Sequence, residues 1–231
     1  IGMTVGRVTF PVFSSIQDDK VRLKHCLRKV LSMLAAVSFP TMIGLALVAK
    51  PLVLVLLTEK WLPCVPYLQL LCIVGAQQPL HAIHLNILKA QGRSDLFLRI
   101  EIIKKILVTL AIAITYRWGI TAMVWGQIVI GVLCCYINAY YTKRLLNYTF
   151  AEQFRDIMPG LLLTGLMAGG IHLLHYIAFP NQLALLAVQI MSGSVIYVSL
   201  CFFFKFPPFM EILVLARQRL MPLRRAKCSL P

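Results

Sequence analysis

The stretch GITAMVWGQIVIGVLCCYINAYY, Gly119 to Tyr141, contains no Asp, Glu, Lys or Arg. At about 1.5 Å per residue a helix of this length covers about 35 Å, enough to cross a hydrocarbon core of about 30 Å. Its apolar residues fall on all sides instead of alternating with polar ones, which excludes a strand of a β-barrel. Working outward, two further charge-free runs follow, Pro159 to Ala178 and Leu183 to Phe204. Three precede it. Leu27 to Ala49 carries Arg28 and Lys29 only at its start, Pro66 to Lys89 has one charge at its end, and Ile100 to Tyr116 holds Glu101, Lys104 and Lys105 near its beginning. The whole chain is 59% hydrophobic and 13% charged, against about 25% charged in ordinary soluble domains. The expected fold class is therefore all-α, a polytopic membrane protein of about six transmembrane helices.

The formal charge of +15 is distributed unevenly between alternate connections. One side holds nineteen Lys and Arg: the region before the first span (Lys20, Arg22, Lys24, Arg28, Lys29), the second-to-third connection and its flanks (Lys89, Arg93, Arg99, Lys104, Lys105), the fourth-to-fifth connection (Lys143, Arg144, Arg155), and six in the tail from Lys205 to Lys227. The other side holds Lys50, Lys60 and Arg117. By the positive-inside bias both ends are expected to be cytoplasmic. Topology uses the basic residues so fully, and soluble stretches are so short, that a nucleic-acid partner is not expected.

The connections contain no soluble domain. Lys50 to Val65 begins with Pro51 and ends in Pro63 and Pro66, and is read as a helical continuation lying against the membrane with Trp61 at the interface. The seven cysteines form no C-x-x-C pair and only Cys64 is placed on the exterior side, so neither a disulfide framework nor a metal centre is expected. No secretory signal pattern is present and the chain opens on Ile1, as expected of a piece of a longer protein.

Four stretches carry a family resemblance: FPVFSSIQDD (10–19), EKWLPCVPYLQLL (59–71), LKAQGRSDLFLRIEIIKK (88–105) and WGITAMVWGQ (118–127). In this order and spacing the chain resembles, from about Thr9 to about Pro159, the C-terminal half of the Wzx-like polysaccharide exporters. These belong to the multidrug/oligosaccharidyl-lipid/polysaccharide flippase superfamily, and the likeness points to its lipopolysaccharide and colanic acid exporter branch. That family has about fourteen spans in two lobes and a final pair. The resemblance implies that residues 1–15 end a preceding span, 16–158 form the four-helix part of the C-terminal lobe, 159–206 the final helix pair and 207–231 a basic cytoplasmic tail. The six spans would then be numbers nine to fourteen, with the N-terminal lobe missing.

Polar groups inside hydrocarbon are costly, so their presence points to a cavity or a helix contact. In the second span Gln77, His81, His84 and Gln91 fall at i, i+4, i+7 and i+14, one face of a helix, with Gln78 and Asn86 beside it. This stripe either lines a wet cavity that hydrogen-bonds sugar hydroxyls or joins helices to one another. Lys104 and Lys105, with Arg93 and Arg99 nearby, form a basic cluster at the interior mouth. It suits the pyrophosphate of a lipid-linked sugar, or else serves topology and a Glu101–Lys105 pair at i, i+4. Helical geometry separates the two lysines by about 100°, which makes Lys104 the ligand and Lys105 the structural member. Gly165 and Gly169 make a GxxxG with Ala168 and Gly170 alongside, and Ser192, Gly193 and Ser194 sit in the neighbouring span; both sets are expected to let the last two spans pack closely. Pro40 marks a kink near mid-membrane, and His172 and His175 are read as interfacial.

The expected activity is transport: lipid-linked oligosaccharide flipped across the bacterial inner membrane by alternating access, with bilayer, substrate and missing lobe as partners and no cofactor. The substrate is implied by the resemblance alone. A membrane-embedded polysaccharide polymerase or glycosyl-transfer enzyme is the alternative, but Glu59 is the only carboxylate on the exterior side, where such an enzyme needs an acid/base pair. A drug exporter of the same superfamily is a second alternative.

Overall fold

The computed structural model describes residues 2–174 and 181–220, and these are helical with short connections. In chain order the helices are α1 (Gly2–Ser15), α2 (Lys20–Leu47), α3 (Ala49–Leu56), α4 (Val65–Ala90), α5 (Ser94–Thr115), α6 (Ile120–Leu146), α7 (Phe150–Leu174), α8 (Gln182–Phe203) and α9 (Pro207–Leu220). His175, Ala178 and the tail beyond Leu220 lie outside the described residues. Four helices, α2, α6, α7 and α8, are long and apolar enough to cross a membrane. α4 and α5, with 26 and 22 residues, also have membrane length, but the Gln and His residues of α4 and the charges of α5 lower their apolarity. The chain is thus an all-α polytopic membrane protein. The connection after α2 is helical as expected: α3 is followed by a 3-10 turn, Glu59–Cys64, that leaves Trp61 half exposed.

Turn chemistry sets the boundaries. Asp19 Oδ1 accepts from the backbone N–H groups of Val21 and Arg22, at 3.1 and 3.0 Å, and so starts α2 earlier than hydropathy alone suggests. Thr149 and Glu152 form a reciprocal box at the start of α7: the Glu152 N–H donates to Thr149 Oγ1 and the Thr149 N–H donates to Glu152 Oε2. Gly119 sits at φ +84° between α5 and α6, a backbone setting that favours glycine.

α2 is the central helix. Leu23, Leu27, Leu31, Ala35 and Phe39 recur every four residues and are buried against Phe13 of α1 and against Ala76, Leu80, Ile83 and Ile87 of α4. An adjacent face of α2 is polar and meets α7. Arg28 donates from Nε and Nη2 to the two carboxylate oxygens of Asp156, both at 2.7 Å. Tyr148 donates its hydroxyl to Asp156 Oδ2 at 2.7 Å. One turn away Lys24 donates to the Asn147 carbonyl at 2.6 Å and pairs with Glu152 at 3.1 Å; one turn the other way Ser32 donates to the Asp156 carbonyl. Burial, and then the bond to Asp156, push the Tyr148 phenol up, so it keeps its proton and remains the donor. Lys29 reaches Glu211 of α9 at 2.8 Å, which ties that helix to the same end.

Pro40 lies inside the continuous helix α2. Lacking an N–H, it leaves the Ala36 carbonyl without its helical donor. The buried Tyr197 of α8 supplies one, its hydroxyl donating to Ala36 O at 2.6 Å. The last two spans do pack closely, but not through the GxxxG pair itself: neither Gly165 nor Gly169 has an atom of another element within 4 Å of where a Cβ would sit. The close approach of α7 and α8 is made instead by Gly170 under Ile196 and Gly193 under Ile171, where an added Cβ would lie 2.9 and 2.7 Å from those side chains. Helical phase explains the difference, since Gly165 and Gly169 are exposed and face away from α8.

If the Arg28 fork is the main tie between α2 and α7, Arg28→Met and Asp156→Leu should each lower stability by about 1–3 kcal/mol, since each strands a partly buried charge. The double substitution should then cost clearly less than the sum of the two. Denaturation of the purified chain in detergent measures this, and strictly additive losses would contradict the tie.

Candidate functional site

A cavity of about 380 Å³ opens between α4, α5 and α6. α4 contributes Gln77, Gln78 and His81, α5 contributes Glu101 and Lys104, and α6 contributes Gln127. The Lys104 side chain is 13% exposed and its Nζ lies 3.8 Å from Glu101 Oε1. That distance holds an ion pair but exceeds a strong hydrogen bond, so the three ammonium donors stay open to another acceptor. Gln77 Oε1 is buried with no hydrogen-bond partner among the described residues. Its carboxamide occupies the space where a side chain at position 131 would begin, so Gly131 is what makes room for it. The cavity thus combines a cation, a carboxylate, an imidazole and three amides between helices, a set suited to hydroxyl and phosphate groups.

Behind the cavity runs a polar seam between α4 and α6. Asn138 Nδ2 donates to His81 Nδ1 at 3.1 Å, which places the proton of a neutral His81 on Nε2. His84 is buried, with Nδ1 3.0 Å from Thr142 Oγ1. Thr142 already donates to the Asn138 carbonyl at 2.8 Å, so it accepts from His84, whose proton sits on Nδ1. The two histidines therefore use opposite tautomers. The members of the α4 stripe divide between two settings: Gln77 and His81 line the cavity, while His84 joins α4 to α6. No group of three or more His, Cys, Asp or Glu among the described residues is placed to hold a metal ion.

The remaining expected residues lie elsewhere. Gln91 caps the end of α4 and Arg93 sits in the α4–α5 turn, where they line a second, open cleft of about 700 Å³ with Lys20, Arg99 and Arg144. Lys105 is exposed outside the cavity. Glu101 pairs with Lys104 at i, i+3, not with Lys105 as the spacing suggested, because the side chain of Lys104 is the one turned toward α4 and α6. Gln127, Asn138 and Thr142 do not belong to the α4 stripe and are missed by reading that helix alone. A signal for them exists: Gln127, Gly131, Cys134, Asn138 and Thr142 recur at three- and four-residue spacing along one face of a charge-free span.

Replacing Thr142 by Val should lower stability by about 1–3 kcal/mol, because the isosteric methyl leaves the buried Nδ1–H of His84 unpaired. Thr142→Ser should restore most of it. Thermal unfolding in detergent reads both, and a silent Thr142→Val would contradict the seam.

The comparisons with known proteins agree with this picture. A family model described as polysaccharide biosynthesis protein matches residues 1–66. An uncharacterized membrane protein of the cps region of Klebsiella pneumoniae is 36% identical over 150 residues, 65% of this chain and 29% of the relative. The teichuronic acid biosynthesis protein TuaB of Bacillus subtilis is 28% identical over 205 residues, 87% of this chain and 42% of the relative. The lipopolysaccharide biosynthesis protein WzxC of Escherichia coli is 36% identical over 110 residues, 48% of this chain and 22% of the relative. No solved structure matches. The chain spans less than half the length of these curated relatives. The four quoted stretches and these matches point the same way: the chain is similar to membrane proteins of polysaccharide biosynthesis.

Proposed function

We propose that the chain is part of a transporter that flips lipid-linked oligosaccharide or polysaccharide precursors across the bacterial inner membrane by alternating access. The observation that carries this reading is the intramembrane cavity, where Gln77 and His81 of α4 meet Lys104 of α5. An ionisable residue inside a span points by default to a path for substrate or ion. The names of the relatives, WzxC and TuaB among them, support a polysaccharide precursor as the cargo. Lys104 would meet the phosphate of the cargo, while the amides of Gln77 and Gln127 would meet sugar hydroxyls. On the reading of nineteen basic residues against three, both ends of the chain face the cytoplasm. Export by alternating access requires a second lobe, so this chain alone would insert without exporting.

The test places Lys104→Gln at the native locus of a strain whose surface polysaccharide depends on this gene. Losing one charge-assisted contact should cut export about tenfold or more, at unchanged membrane level, and Lys104→Arg should keep part of it. Lys105→Gln, outside the cavity, should leave export nearly unchanged. Normal export by Lys104→Gln would defeat the assignment.

A further inference from the structure

The open cleft of about 700 Å³ at the end shared by the α1–α2 turn, the α4–α5 turn and the C-terminal turn of α6 gathers Lys20, Arg93, Arg99 and Arg144, against Asp18 and Asp95. Positive charge at this end serves orientation wherever it sits, so topology does not require convergence on one cleft. Nearby cations are already occupied. Arg22 pairs with Asp19, Lys24 with Glu152, Arg28 with Asp156 and Lys29 with Glu211. In the cleft only Arg93 is so engaged, its Nε and Nη2 reaching the two oxygens of Asp95 at 3.3 and 3.4 Å. Lys20, Arg99 and Arg144 have no acid within ion-pair range among the described residues and are exposed. They come from three separate helices, the first residue of α2, the second turn of α5 and the last turn of α6. Two guanidinium forks and an ammonium around one open space suit the oxygens of a phosphate group.

From this geometry we infer that the cleft is a phosphate-binding site for an anionic lipid headgroup, distinct from the cavity around Lys104. Its height fits. The cleft lies where α2 and α5 begin and α4 and α6 end, the level at which helices leave hydrocarbon and headgroups stand. This placement rests on the reading of that end as the inner-leaflet end. Either the phosphate of a bulk phospholipid or the diphosphate of a lipid-linked precursor supplies the same chemistry.

The 231-residue chain, purified in a neutral detergent, should be titrated with inorganic pyrophosphate and with short-chain phosphatidylglycerol. Short-chain phosphatidylcholine is the neutral control, and calorimetry reads the binding. Binding should weaken about tenfold or more in the Arg99→Gln, Arg144→Gln double variant. It should be largely kept by the corresponding double Lys variant, and unaffected by Lys50→Gln at the opposite end. Preference for pyrophosphate assigns the cleft to a diphosphate, preference for phosphatidylglycerol to bulk lipid, and mutual competition to the shared phosphate. Lys105→Gln, which lines neither the cleft nor the cavity, should leave this binding intact, and because export is read on Lys104 while headgroup binding is read on Arg99 and Arg144, failure of the transport reading and failure of this one are separable. Should the Gln variant not fold, binding by the wild type and its loss at high salt decide the matter. Equal behaviour of all three probes with the wild type, or binding unchanged by the double Gln substitution, overturns the inference.

Discussion

The bidentate pair between Arg28 and Asp156 is the contact on which the arrangement of this bundle depends. Asp156 belongs to α7 and is 13% exposed, so it needs a partner that can saturate both oxygens. Arg28 supplies two donors and Tyr148 a third. Because Tyr148 belongs to the connection between α6 and α7, a single carboxylate fixes the positions of three segments. With α7 held to α2, α8 comes within reach of Ala36, where Tyr197 satisfies the carbonyl that Pro40 leaves without a donor. The final helices are thus joined to the bundle through α2 at two heights, by charge near the end and by a single hydroxyl deeper in.

The neighbouring face of α2 depends on shape. Its four-residue row of apolar side chains packs against α4, and α4 in turn presents its polar residues to α5 and α6. The outer faces of α5, α6 and α8 expose large apolar side chains such as Ile102, Ile106, Leu110, Val129, Val132, Met191 and Val195. In water such faces are an aggregation hazard, whereas against lipid tails they cost nothing. The polar atoms therefore lie inside, where only a wet cavity or another helix can satisfy them. That constraint yields one helical seam with a cavity beside it.

Much of this is legible in the sequence because hydrocarbon thickness imposes run length. Gly119 to Tyr141 and Leu183 to Phe204 fall within a few residues of α6 and α8, and the helix over 51–56 follows from its proline and apolar run. Helix starts were harder to place, since the charged first turns of α2 and α7 are amphiphilic and their positions come from Asp19, Thr149 and Glu152, not from apolarity. The site was legible in part. Spacing along α4 and along α5, each read alone, points to Gln77, His81 and Lys104, but it cannot tell which neighbour a side chain faces, and His84 and Lys105 lie outside the cavity. The partners on α6 and the Arg28–Asp156 pair, 128 residues apart, depend on tertiary packing that no local period encodes. The same limit applies in the glycine-rich part of α7, where spacing does not tell that Gly170, and not Gly165 or Gly169, is on the face toward α8.

The central claim is that polar residues of α4, α5 and α6 enclose a hydrated space inside a membrane bundle. Thiol labelling along α6 tests it most directly, because Gln127 lines the cavity while Val129 faces outward. In membranes carrying the protein with its native cysteines replaced, Gln127→Cys should react readily with N-ethylmaleimide, which requires a thiolate in contact with water. Val129→Cys, placed against lipid, should be protected. Protection at both positions, or faster labelling at 129 than at 127, would contradict a wet cavity at this place in the fold.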